Sequence, residues 1–236
     1  GRENLASGWY SFAAGRGCTS SNTSTFAMGV NAEASGYLAF AYGNETLADG
    51  EDAFAVGDSA QARSHNTIAM GKSSYAYSDD AVAIGHDAYA INVKAVGIGY
   101  NSGGLGQFSL AAGNGTLATG NYSSAFGKDT RAIGISSVAI GDGAIANGIS
   151  SFAAGYDTDA VGNGSTAIGY GSTSTGLRSS VMGYFSVAGG DYSTALGYTN
   201  TASGNYSTAA GKESTASGIY SIAIGEDNTA SGSNSI

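Results

Sequence analysis

Glycine returns every fourteenth residue from Gly15 to Gly225, with no insertion or deletion in the series. All sixteen of those positions are glycine, and two residues earlier alanine fills fourteen of the sixteen places, Gly97 and Val181 being the exceptions. A strict period of this kind means one supersecondary unit per repeat, each burying its apolar face on the next. A fainter copy lies half a period away. Alanine recurs five residues after the glycine (Ala34, Ala48, Ala62, Ala76, Ala90) and a second glycine seven after it (Gly36, Gly50, Gly120, Gly134, Gly148). Asn22, Asn92, Ser64 and Ser78 replace that second glycine elsewhere. Asparagine there predicts a turn entered through left-handed backbone.

The underlying unit is therefore seven residues, small-x-Ala-x-Gly-x-x, used in pairs. It is not a coiled-coil heptad, which needs large apolar residues at two positions and avoids glycine. Alternation within small-x-Ala-x-Gly has the period of a strand. Five strand residues and two turn residues, taken twice, make one coil. Sixteen such coils stacked about 4.8 Å apart would form a rod of roughly 77 Å. The expected fold is an all-β parallel β-roll solenoid occupying residues 1–236 as a single domain, with no neck, stalk or membrane anchor. Hexapeptide helices, nonapeptide calcium rolls and leucine-rich repeats have other spacings or frameworks.

Composition narrows the function classes. The chain has 39 Gly, no Pro and a formal net charge of −9. Nine Lys and Arg spread along it cannot form a phosphate-binding face, so no nucleic-acid partner is expected. No apolar run approaches a membrane span, so no membrane insertion by this segment is expected. Cys18 is alone and cannot form an intrachain disulfide.

The two faces of each heptad strand differ. One carries Ser or Thr, Ala and Gly. In the half-coil ending at the periodic glycine, the other is large and apolar: Phe12, Phe26, Phe40 and Phe54 in one column, and Met70, Ile84, Ile98, Phe126, Ile140, Ile168, Met182, Leu196 and Ile224 in the column beside the glycine. In the following half-coil the matching face holds Glu33, Asp49, Gln61, Arg63, Arg131 and Asp159. Unpaired charges are not buried cheaply, so that face meets water and the small face lies inside. The heptad symmetry then turns the large apolar columns outward. A stripe of that length exceeds what a soluble monomer exposes, so the columns are expected to form the contact between copies around a common axis.

The phrases Ser137-Val138-Ala139-Ile140-Gly141, Ala81-Val82-Ala83-Ile84-Gly85, Ser165-Thr166-Ala167-Ile168-Gly169 and Ser221-Ile222-Ala223-Ile224-Gly225 resemble the head repeats of YadA-like trimeric autotransporter adhesins. Asn66-Thr67-Ile68-Ala69-Met70-Gly71-Lys72-Ser73-Ser74 is similar to that family's recurrent N-S-V-A-I-G-x-x-S. The resemblance covers essentially the whole chain. It implies a left-handed roll, a homotrimer, display outside a Gram-negative outer membrane, and attachment to an extracellular matrix protein, a glycan or another cell surface. A structural rod in a phage tail fibre or extracellular filament is the alternative function.

Catalysis is not expected, and no metal or cofactor is. His65 and His86 fall in turns at different edges. Tyr156, Tyr170, Tyr184 and Tyr198 follow the periodic glycine in four successive coils, and Tyr192, Tyr206 and Tyr220 recur in the other turn. Each set should stack as a ladder between coils. Each is also a candidate ligand-binding track, because tyrosine gives a large amphipathic contact at low entropy cost.

Overall fold

The computed structural model describes residues 2–236, and they form strands and turns without a helix. The chain divides into two compact units, one ending at Ala118 and the other beginning at Thr119. Each is a parallel β-solenoid whose coil is fourteen residues long. In the first unit, five-residue strands such as Phe12–Arg16, Phe26–Val30 and Phe40–Asn44 pair in parallel, each residue facing the one fourteen later: Phe12 with Phe26, Ala27 with Ala41, Gly29 with Gly43. Two-residue strands such as Thr19–Ser20, Glu33–Ala34 and Leu47–Ala48 form a second parallel sheet in the same register. The second unit repeats the plan, from Ser124–Lys128 to Ile222–Glu226 in the long series and from Arg131–Ala132 to Thr229–Ala230 in the short one.

The two half-coils are less alike than the heptad suggests. Five strand residues were expected in each; the first keeps five and runs one residue past the glycine in every coil but one, Ile68–Met70, and the second pairs over only two. Left-handed residues set these limits. They recur two and nine positions after the periodic glycine, as at Asn31 (φ 51°) and Leu38 (φ 57°), and cut the coil twice. The second glycine column was expected to supply that left-handed backbone, and it does not. Gly36 has no positive φ; a Cβ there would lie 1.8 Å from the carbonyl oxygen of Gly50, so closeness of the next coil selects glycine. Where Asn22 takes this place, its side chain donates to the Ser35 carbonyl of the next coil at 3.0 Å.

The core is a thin layer of small side chains. Ala27, Ala41, Ala55, Ala69 and Ala83 in the first unit, and Ala125, Ala139, Ala153, Ala167 and Ala195 in the second, have no exposed surface. Serine and threonine share this interior, some with the hydroxyl bonded to a backbone carbonyl and others, such as Thr46, Thr130, Ser137 and Ser165, with the hydroxyl unpartnered. Thr25, Ser109, Ser151 and Ser193 each donate to the carbonyl three residues back, at 2.6–2.7 Å, closing the second turn. Cys18 is buried in the same layer, with Sγ 3.3 Å from the Gly29 carbonyl oxygen.

Candidate interaction surface

With alanine inside, the alternate residues of the long strands point away from the core. In the first unit, Phe12, Phe26, Phe40 and Phe54 stack ring on ring with centroids 4.9, 4.7 and 5.0 Å apart. The neighbouring column holds Met28, Tyr42, Val56, Met70, Ile84 and Ile98, half-buried or exposed. In the second unit Phe126 and Ile168 are half-buried, while Ile140, Met182, Leu196 and Ile224 are exposed, Ile224 to 64%. All of the side chains assigned to an intersubunit contact from sequence thus lie on the outside of their own coil. In-register pairing makes them continuous rows within each unit.

Both tyrosine sets form ladders, and both lie in the second unit. Tyr156, Tyr170, Tyr184 and Tyr198 close the long strands, with successive centroids 4.8, 5.0 and 5.1 Å apart. Tyr192, Tyr206 and Tyr220 occupy the second turn at 5.1 and 4.8 Å. All seven are exposed, between 39% and 55%. Face-to-face stacking uses the ring faces, so what meets solvent is ring edges and hydroxyls. The turn ladder carries a cost the other does not. Tyr192, Tyr206 and Tyr220 hold left-handed backbone at φ 57°, 59° and 57°, where glycine or asparagine is cheaper by about 1 kcal/mol. Arg178 lies 5.8 Å over the Tyr192 ring and extends this row by one cation–π contact. Sequence reading missed Phe185, which stands edge-on to Tyr170 at 5.3 Å and to Tyr184 at 4.7 Å. The visible signal was an aromatic directly after a ladder residue.

The ionisable groups lie elsewhere. His86 closes the strand Val82–His86 instead of lying in the turn, and packs edge-on against Tyr100 at 5.2 Å. His65 is in a turn, as expected, with Nε2 3.6 Å from a Glu51 carboxylate oxygen. One donor atom each from Glu51, Asp52 and His65 falls within a 4.8 Å span, a juxtaposition hidden in sequence because Glu51 and His65 are one coil apart. All three are exposed, and the arrangement is a surface contact of the His65 ring with a neighbouring carboxylate. Asp159 differs: its Oδ1 is buried without a hydrogen-bond partner, and burial pushes its carboxyl above the ordinary carboxylate range.

No curated protein matches the chain. The model of the YadA head domain repeat matches successive stretches at 48–74, 62–88, 76–102, 105–130, 132–158, 160–186, 188–214 and 216–236. All but the last stretch cover about two of the coils described above, and their starts advance by 14 residues or by 27 to 29, close to the period or its double. The repeat that defines the interior and the outward apolar rows is therefore the family's own, and this chain belongs to the YadA head domain repeat family.

Proposed function

We propose that the chain is the head of a bacterial surface adhesin, assembled from three copies and displayed outside the outer membrane. It acts as a binding module, attaching to an extracellular matrix protein, a glycan or another cell through many repeated weak contacts. Family membership supports the adhesin role. The observation that carries the assembly is the outward apolar rows: phenylalanine, isoleucine, leucine and methionine side chains stand half-buried or exposed on a single copy, continuous over each unit. Soluble monomers rarely expose an apolar surface so long, and closed symmetry covers it.

For the attachment surface we favour the turn ladder Tyr192, Tyr206 and Tyr220. Its three aromatic side chains stand exposed in one turn column with ring edges and hydroxyls toward solvent, a large amphipathic contact at low entropy cost. Repetition along the chain then converts modest single contacts into avidity. The test is attachment of purified wild-type protein and the triple serine variant of those tyrosines to matrix-coated and glycan-coated surfaces. The variant is expected to keep its assembly state and lose most attachment. Attachment equal to wild type would remove the ladder from the role. A wild-type protein that sediments as a 23.2 kDa monomer would remove the assembly.

A further inference from the structure

We propose that the strand-end ladder of Tyr170, Tyr184 and Tyr198 packs against the hydroxyl row Thr166, Ser180 and Thr194 of a second copy of this chain. The inference rests on the assembly reading above, and it gives that ladder a different use from the turn ladder.

The strands concerned are Thr166–Tyr170, Ser180–Tyr184 and Thr194–Tyr198. Each begins with a small hydroxylated residue and ends with tyrosine. They pair in register, so the first residues form one row and the last another, on either side of the apolar row Ile168, Met182 and Leu196. Three strands of the first unit exchange the sizes, while Val96–Tyr100 there also ends with tyrosine. Phe26–Val30, Phe40–Asn44 and Phe54–Asp58 begin with a stacked phenylalanine and end with a smaller side chain. The strand Phe152–Tyr156, aromatic at both ends, stands just before the tyrosine-ended group.

A trade of large for small needs a packing partner, and the two ends of one strand are not partners. Four residues of strand separate them by about 13 Å, beyond the reach of a tyrosine toward a serine. A ring of three identical copies supplies the partner. Contacts in a cyclic ring are heterologous, so one edge of each copy meets the opposite edge of the next. The end of a strand in one copy then faces the beginning of the same strand in its neighbour. A tall row fits a short row, and the tyrosine hydroxyls reach serine and threonine hydroxyls. Stacking has already committed the ring faces, so edge and hydroxyl contact is what this ladder has to give.

The test uses the full chain with Tyr184→Lys, Ser180→Asp and the two together, assembly being followed by sedimentation over a concentration series. Each single variant should weaken assembly by about tenfold or more, and the double should recover most of that loss. The introduced ammonium and carboxylate are too far apart to pair within one strand and can meet only across a subunit boundary. Circular dichroism of each variant checks that the coils persist. A wild type that assembles, together with a Tyr184→Lys variant of undiminished assembly or a double variant no better than the weaker single, would overturn the placement while leaving the assembly reading intact. A monomeric wild type would overturn both.

Discussion

The side-chain oxygen of Asn200 accepts the backbone N–H of Ser214, one coil later, at 2.9 Å, while its Nδ2 donates to the carbonyls of Leu196 and Gly211 at 2.7 and 2.8 Å. Asn200 has no exposed surface, so water cannot replace these bonds. The residues above it do the same work with less. The Ser186 hydroxyl accepts the Asn200 N–H at 3.0 Å and reaches the Gly197 carbonyl at 3.2 Å. Asn200→Ala removes three hydrogen bonds to interior backbone groups and is expected to cost about 2–4 kcal/mol in urea unfolding. Asn200→Ser keeps the Ser186 pattern and should cost about half of that. Equal losses for the two would mean that the side chain acts by filling space and not by satisfying the backbone.

Gly141 has φ 130°, and a Cβ on it would sit 2.0 Å from the Gly155 carbonyl oxygen. Both facts oppose any side chain, and the obstacle is backbone that cannot swing aside. Gly141→Ala is expected to cost at least about 3 kcal/mol, as strain and coil separation add. Hydrogen exchange should show the loss of protection centred on Val138–Asp142 and Phe152–Tyr156, the two strands the clash would part. A wild-type melting curve for Gly141→Ala would contradict this account of the period.

The coil, its parallel stacking and its small-residue interior were legible in sequence because the physics is one-dimensional. Register is fixed by a period without insertions, so residues fourteen apart must face one another, as Ala139 and Ala153 do. The outward placement of Ile140 followed from the charges on the other half-coil. What could not be read was the unequal division of the coil. The heptad looks symmetric in residue type, but the short strands, such as Ile145–Ala146, lie between left-handed residues whose side chains vary freely. The turn column holds Leu38, Asp52, Lys94, Phe108 and Tyr206 alike, so composition does not mark it. Side-chain contacts across coils, such as Phe185 on Tyr170, escaped for the same reason: the period locates residues but not where their rings turn.

The turn ladder sets two energies against each other. Asparagine tolerates left-handed backbone better than tyrosine by about 1 kcal/mol, whereas each stacked ring pair contributes about 0.5–1.5 kcal/mol. Tyr220 stacks on one neighbour, Tyr206 on two. Tyr220→Asn should therefore leave stability within about 0.5 kcal/mol of wild type, and Tyr206→Asn should lose about 1 kcal/mol more. Urea unfolding of the pair checks the difference. Stability rising in both variants would show that the stack contributes little and is retained for contact alone.

Asp159 lies on the outer face of a short strand, with Ile145 before it and Thr173 after it in register. Its Oδ1 has no partner, and partial burial raises its pKa above the ordinary aspartate value of 3.8. A carboxyl whose folded pKa is raised binds a proton more readily in the folded state than in the unfolded chain. Its contribution to stability is therefore unfavourable when ionised and is relieved as pH falls through the raised folded pKa toward 3.8. Asp159→Asn removes the charge at every pH. It should melt slightly above wild type at pH 7, and the two curves should converge as the carboxylate range is entered from above. Because the group is only partly buried, the gap at pH 7 is small, and it should persist at high salt, since desolvation and not a screened charge pair causes it. A gap that widened on acidification, or that vanished with added salt, would assign the shift to a neighbouring charge instead of burial.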